Sequence, residues 1–424
     1  MPFLSANTAS RRELESKWRP CDDRRAAGPG PASCRAEVAG DAQAWGRTDQ
    51  LYGRQHMLWF IPGLIALILG AELLVRGASK LALSFGISPL VVGLTVVAFG
   101  TSSPELAVSV QSAWSGQVDI ALGNVVGSNI FNVLFILGLS ALITPLLVHR
   151  QLIRQEVPMM VAVSLLLWML VADGGISRGD GLLLVGLLLA YTFLIIRQSR
   201  RENVALAAPE PEPEPDSGTK PADDRAWDAH WLAQALLVAV GMGLLVLGSN
   251  WLVEAAVTLA RRLGMSEVVV GLTIVAAGTS LPEVATSIMA AVRGERDIAV
   301  GNVVGSNTFN ILAVLGISAS VAPGDLLVPA SLLAFDLPVM VAVAVACLPI
   351  FFTGHLIARW EGALFLAYYA AYTTYLVLDA ADHAAQSGFS LVMSSFALPL
   401  TAITLIVLAW RHWHSPRGAP ATGR

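Results

Sequence analysis

Of 424 residues, 55% are hydrophobic and only 14% charged, with a mean hydropathy of +0.63; a water-soluble domain of this length would expose much of that apolar surface, so the chain reads as a polytopic membrane protein. The net charge of −4 is small and part of the acidic excess sits in one tract, which argues against nucleic-acid binding and against a basic membrane-surface mode. Cys21, Cys34 and Cys347 show no metal-ligand spacing and are read as incidental.

Residues 1–56 are rich in Arg, Ala, Gly, Pro and Asp, without helical or strand periodicity and without the apolar core of a signal peptide. They are expected to be a disordered extension; Met57, directly before the first apolar run, is an alternative start that would leave them untranslated. Runs of spanning length, about 17–25 residues, are predicted near 57–75, 87–115, 118–145, 155–173 and 180–197. Six more follow near 232–255, 266–292, 297–321, 332–353, 357–379 and 389–410. Between the two sets, Arg197 to Asp228 contain a Pro-Glu alternation that cannot bury apolar surface and reads as a solvated linker. The domains expected are an extension (1–56), a first repeat (57–197), a cytoplasmic linker (198–229), a second, inverted repeat (230–379), and an extra helix with a basic tail (380–424).

If the spans alternate, Arg76, Lys80, Arg150, Arg154, Arg197, Arg200, Arg201, Arg293, Arg296, Arg359, Arg411 and Arg417 fall on one face, which is then cytoplasmic. Arg178, Arg261 and Arg262 are exceptions on the other face, as is the basic 1–56 segment.

An internal repeat organises the rest. "VVGLTVVAFGTSSPELAVSV" from Val91 recurs as "VVGLTIVAAGTSLPEVATSI" from Val269, and "DIALGNVVGSNIFN" from Asp119 as "DIAVGNVVGSNTFN" from Asp297, both at an offset of 178 positions. Each half holds five spans, an odd number, so successive halves enter the membrane in opposite orientation, the inverted-repeat plan of many secondary transporters. The fold expected is an all-α polytopic membrane protein of two inverted five-helix repeats, ten core transmembrane helices, plus one extra C-terminal transmembrane helix.

Within the first motif, Pro104 removes a backbone donor and Gly100 permits a bend, so carbonyls from Ala98 to Thr101 are expected to lose helical partners. Such carbonyls are tolerated at membrane depth only where protein or a bound polar species satisfies them. Thr101 and Ser102 add hydroxyls and Glu105 a carboxylate; Ala276, Thr279, Ser280 and Glu283 repeat the set. An ionised Glu at the bilayer centre costs about 2.5–3.5 kcal/mol on insertion scales, and two would repel. No Arg or Lys lies inside these spans to neutralise them, which leaves protons or metal cations. Hard cations such as Ca²⁺ take about six to eight oxygens, and the lack of nearby His or Cys argues against zinc or copper.

A packing-only reading suits Gly123, Gly127, Gly301 and Gly305, because small residues let membrane helices approach closely. It does not suit Glu105 and Glu283, since a buried carboxylate repeated in two halves has no packing rationale. Asn124, Asn129 and Asn132, with Asn302, Asn307 and Asn310, are intermediate, and Asp119 and Asp297 read as helix caps.

G-T-S-x-P-E followed by G-N-V-V-G-S-N-x-F-N, present twice, resembles the alpha repeats of the calcium/cation antiporter superfamily, most closely the prokaryotic sodium/calcium exchangers, from about Met57 to residue 379. The resemblance implies that Glu105 and Glu283 hold Ca²⁺ and share in Na⁺ binding, and that the carbonyls of Thr101 and Thr279 add Ca²⁺ ligands. It further implies Na⁺ ligation by Ala98, Ser102, Ser128, Ala276, Ser280 and Ser306, with Asn132 and Asn310 at the remaining central position. Relatives with Asp at that place in the second repeat are K⁺-dependent, so Asn310 argues against K⁺ dependence. The linker is too short for the regulatory calcium-binding domains of animal exchangers.

The function expected is Na⁺/Ca²⁺ antiport by alternating access, driving Ca²⁺ out across the cell (inner) membrane, with acid inhibiting transport by proton competition. No cofactor, enzyme activity or obligatory protein partner is expected; the partners are Ca²⁺, Na⁺ and the lipid bilayer, and nucleic acid is not one. Ca²⁺/H⁺ antiport is the alternative, disfavoured by the extra hydroxyls; a cation channel or a membrane enzyme fits less well.

Overall fold

Eight helices among the described residues are long and apolar enough to cross a membrane, and a bent pair adds a ninth span. They belong to a computed structural model that describes residues 58–206, 230–262, 276–352, 355–380, 383, 385–404 and 406. The expected extension, most of the linker and the basic tail lie outside the described residues.

In chain order the first half comprises α1 (Phe60–Phe85), α2 (Pro89–Thr101), α3 (Ser103–Trp114), α4 (Val118–Ile143), α5 (Leu152–Asp173) and α6 (Arg178–Leu206). The second comprises α7 (Trp231–Arg262), α8 (Ala276–Thr279), α9 (Leu281–Val292), α10 (Arg296–Val321), α11 (Leu332–Phe352) and α12 (Arg359–Ala380), and α13 (Ala385–Thr404) follows. α2 and α3 form the bent pair, with an angle of 47°. Three helices run past their expected ends, α7 among them, reaching Arg262 against an expected 255. α1 runs to Phe85, so Arg76 and Lys80 belong to the helix rather than to a loop, and α6 continues to Leu206, into the stretch assigned to the linker. Long basic side chains allow the extension of α1, since their apolar stems can continue an apolar helix.

The inverted plan is visible in the packing. α1 and its counterpart α7 run antiparallel: Gly63 abuts Gly248, Gly70 abuts Gly241, and Gly77 abuts Gln234. A Cβ on Gly70 would come within 2.8 Å of the Gly241 carbonyl oxygen, so only glycine permits this approach. Four short strands repeat the exchange. β1 (Leu146–Leu147) pairs with β4 (Leu356–Ile357) and β2 (Gly175–Ile176) with β3 (Leu326–Leu327), each pair antiparallel and each joining the two halves.

α4 and α10 form the centre; 94% of the apolar window of α10 is buried, against 17% for α6. α6 instead exposes Leu182, Leu183, Leu189, Phe193 and Leu194, the surface expected toward lipid. The small-residue reading of the "GNVVGSN" glycines holds for Gly301 and Gly305, whose Cβ positions would lie 3.0 Å from Leu90 O and 2.7 Å from Leu94 Cα of α2. Among the described residues, Gly123 and Gly127 have no such neighbour within 4 Å. The stretch that corresponds to α2 in the second half, up to residue 275, lies outside the described residues.

Candidate ion-binding site

Pro104 and Pro282 stand in the first turns of α3 and α9, where their missing N–H groups cost those helices nothing. The loss falls on the carbonyls four residues earlier, Gly100 and Gly278. The chain turns at Ser102 (φ −81°, ψ 7°) and Ser280 (φ −89°, ψ 8°), both in the bridge region. The expectation that carbonyls from Ala98 onward are freed is too broad. Ala98 O keeps the Ser102 N–H at 3.0 Å, and Phe99 O takes the Ser103 hydroxyl at 2.9 Å. Glu105 and Glu283 follow in the first turn of α3 and α9, where the helix dipole favours a carboxylate.

Both carboxylates are 1% exposed, and the two halves hold each other's acid. Ser102 Oγ donates to Glu283 Oε1 and Ser280 Oγ to Glu105 Oε1, each at 2.9 Å. Asn124 Nδ2 donates to Glu105 O (3.2 Å) and Ser109 Oγ (3.0 Å), and Asn302 Nδ2 to Glu283 O (3.5 Å) and Ser287 Oγ (2.9 Å). Thr101 Oγ1 donates to Asn302 Oδ1 (3.2 Å) and Thr279 Oγ1 to Asn124 Oδ1 (3.4 Å). Between α4 and α10, Asn129 and Asn307 each donate to the other's backbone carbonyl at 3.3 Å. Their own Oδ1 atoms accept from Asn310 (3.1 Å) and Asn132 (3.0 Å).

These bonds use the donors and leave acceptors. Glu105 Oε2, Glu283 Oε2, Asn132 Oδ1 and Asn310 Oδ1 are buried without a hydrogen-bond partner among the described residues, as is Ser306 Oγ. A buried polar group left without a hydrogen bond costs about 1–3 kcal/mol, and four acceptors at two pairs of equivalent positions would suit a species that brings donors or positive charge. The set is entirely oxygen, the chemistry of hard cations. No group of three or more His, Cys, Asp or Glu suited to a metal occurs among the described residues, so a cation held here would have to draw on hydroxyl, amide or backbone oxygens as well.

The structure brings together most of the residues singled out from the sequence. Thr101, Ser102, Glu105, Ser280 and Glu283 belong to the hydrogen bonds around the two carboxylates, Asn132 and Asn310 to those between α4 and α10, and Ser128 Oγ lies 3.3 Å from Ser280 Oγ. Ser306 is buried nearby on α10, Ala98 is buried in α2, and Ala276 opens α8. Thr279 is half-buried where Thr101 is buried. π-helical turns begin at Asn132 and Asn310, a distortion often found at functional sites.

Three features were not legible as site elements. Asn129 and Asn307 orient Asn132 and Asn310, and their repetition was the available signal. Ser249 of α7 donates to Gly278 O at 2.7 Å, satisfying the carbonyl that Pro282 deprives; nothing in the local sequence marks it. Lastly, the spans hold other carboxylates. Glu156 accepts from Tyr191 (2.7 Å) and Gln151 (3.2 Å), and Asp336 from Tyr372 (2.8 Å). Both oxygens of Glu156 are partnered by protein, which sets it apart from Glu105 and Glu283.

Comparison with known proteins decides the family. The family described as sodium/calcium exchanger protein matches residues 55–197 and 233–378, more than half of the chain and both repeats. This chain belongs to the sodium/calcium exchanger family. The sodium/calcium exchanger MaX1 of Methanosarcina acetivorans is 31% identical over 76% of this chain and 98% of its own length. The inner membrane protein YrbG of Escherichia coli is 40% identical over 63% of this chain and 80% of its own. Among solved structures, the sodium-calcium exchanger NCX_Mj superimposes with a TM-score of 0.62 at 28% identity, covering 75% of this chain and 97% of that one. The resemblance read from the repeated motifs, the all-helical polytopic fold and the multi-pass membrane character of this exchanger therefore stand.

Proposed function

We propose that this exchanger moves Ca²⁺ outward across the cell (inner) membrane against inward Na⁺, by alternating access to one central site. The observation that carries the reading is the set of unpartnered oxygens on Glu105, Glu283, Asn132 and Asn310, contributed equally by the two halves. Glu105 and Glu283 hold Ca²⁺ with the carbonyls of Thr101 and Thr279. Na⁺ occupies overlapping positions built from Ala98, Ser102 and Ser306 on one side and Ala276, Ser280 and Ser128 on the other, with Asn132 and Asn310 between them. An empty site leaves two carboxylates facing each other without a counter-charge, which penalises the transition and makes exchange obligatory.

The family match, and relatives named as sodium/calcium exchangers along nearly their whole length, support this choice of ions. Sodium-loaded vesicles containing the purified protein are expected to take up ⁴⁵Ca²⁺ only with an outward Na⁺ gradient. Uptake driven by a pH gradient and indifferent to Na⁺ would move the protein to Ca²⁺/H⁺ exchange.

A further inference from the structure

Beyond the central site, the orphaned atoms include a third equivalent pair. Ser140 Oγ and Ser318 Oγ, 178 positions apart, are 1% and 0% exposed and have no hydrogen-bond partner among the described residues. Hydroxyls on membrane helices ordinarily back-bond to a carbonyl one turn earlier, as Ser164 does to Met160 O (2.8 Å) and Ser320 to Gly316 O (2.7 Å). Ser140 and Ser318 do not.

Their direction follows from the glycine two residues before each. Gly138 faces α12, where its Cβ would lie 3.0 Å from Gly362 O, and Gly316 faces α6, within 3.2 Å of Gly181 O. Two residues further turn a helix by about 200°, so Ser140 and Ser318 look away from α12 and α6. On that side the Gly138–Ile143 segment packs against α9, and the Gly316–Val321 segment against α3. These are the helices that carry Glu283 and Glu105. On α9, Thr286 stands three residues beyond Glu283, is fully buried, and also has an unpartnered hydroxyl. α9 runs from the central site toward the Arg293 face, and α3 from the site toward the Trp114 face.

Buried hydroxyls without protein partners, placed along two lines that leave a cation site in opposite directions, are suited to water or to a partly dehydrated cation. We propose that Ser140, with Thr286, and Ser318 line the two half-paths by which cations reach the central site: Ser140 from the Arg293 face and Ser318 from the Trp114 face. Each hydroxyl oxygen replaces part of the ion's hydration shell one or two turns before the glutamates do. The proposal deepens the exchange reading by naming its routes.

The test uses the full-length protein with Cys21, Cys34 and Cys347 replaced by alanine, carrying Ser140→Cys or Ser318→Cys, in vesicles of known orientation. A membrane-impermeant cationic methanethiosulfonate is added from one side at a time, and the reference is the chain with Cys21 and Cys34 replaced by alanine, whose one remaining thiol, Cys347, is fully buried. The Ser318→Cys thiol is expected to react only from the Trp114 face and the Ser140→Cys thiol only from the opposite face. Both should react at least about tenfold faster than Cys347, and saturating Ca²⁺ should slow both. Reaction no faster than Cys347, in variants that elute as monodisperse protein, would overturn the proposal; so would reaction of both thiols from the same face. Labelling is read without flux, so sided labelling in a protein that moves no Ca²⁺ would keep the routes and sink the choice of ion. Flux without labelling would do the reverse.

Discussion

Gly100 and Gly278 stand at the same place in the two repeats, each robbed of a donor by a proline, yet their surroundings differ. A side chain on Gly100 would strike Met242 of α7, and one on Gly278 would strike Val253 of α7, so one helix presses on both breaks. Only in the second half does α7 also supply a donor, through Ser249; the equivalent residue on α1 is Ala71. The flanks diverge further. α1 meets the second half's loop through the Arg293–Glu72 ion pair and through Ser79 Oγ donating to Glu295 Oε1 at 2.8 Å. The repeat-related positions are Ser115 with Asn250 and Val257 with Gln117, which cannot form an ion pair. Symmetry is thus kept where the unpartnered oxygens of Glu105, Glu283, Asn132 and Asn310 stand and lost where α1 and α7 flank them. An exchanger needs this combination: one site usable from both sides, and covers whose energies are free to differ.

The largest effect should fall on the symmetric part. Glu105→Gln and Glu283→Gln are each expected to lower Ca²⁺ transport about 100-fold or more, because each removes a buried charge and a charged hydrogen-bond acceptor. Losses that are similar in the two variants, measured as ⁴⁵Ca²⁺ uptake, would show that the halves contribute equally; one variant with near-normal uptake would break the comparison.

Asn129→Ala and Asn307→Ala come next. Each removes a donor to the opposite backbone and leaves Asn310 or Asn132 unsupported, at about 1–3 kcal/mol. The half-saturating Ca²⁺ concentration should rise about tenfold in both variants, with a lowered thermal unfolding temperature in detergent.

Ser249→Ala addresses the asymmetry directly. Leaving Gly278 O without a donor is expected to cost about 1–2 kcal/mol, read as weaker Na⁺ activation and lower thermal stability. Ala71→Ser, its repeat counterpart, should change neither. If both variants behave alike, the two breaks are equivalent after all.

The smallest effect is predicted for the ion pair. The Arg293 and Glu72 side chains are 41% and 26% exposed, so a double-mutant cycle of Arg293→Gln and Glu72→Gln should give a coupling of about 0–1 kcal/mol that shrinks with added salt. A larger, salt-resistant coupling would mean that this contact holds α1 closed over α9.

Much of this architecture was legible because it is written twice. The repeated carboxylate and its prolines marked Glu105 and Glu283, since a charge and a helix break at membrane depth are too costly to be incidental. Hydropathy likewise marked the spans, though not where α1, α6 and α7 end, because stems of basic residues can continue a helix past its apolar stretch. The asparagines are intermediate by sequence, since membrane Asn often only bonds a neighbouring helix; Asn132 and Asn310 are placed only by family likeness, and that Asn307 orients Asn132 and Asn129 orients Asn310 is a matter of tertiary contact.

What remained hidden depends on contacts between residues far apart in the chain. That Ser102 serves Glu283 rather than its own neighbour Glu105, and Ser280 serves Glu105, follows from crossing two halves in opposite orientation. No local pattern encodes that exchange. Ser249 is one serine on an apolar helix until the packing of α7 carries it to the carbonyl that Pro282 strips, and Ser140 and Ser318 are unremarkable until neither finds a partner. Periodicity, composition and duplication specify which groups must be shielded from lipid, because the penalty for exposing them is a property of each residue. Which oxygens stay unpaired and face an ion is a property of the assembled helices, because a hydrogen bond is settled by the distance between two side chains and not by either alone.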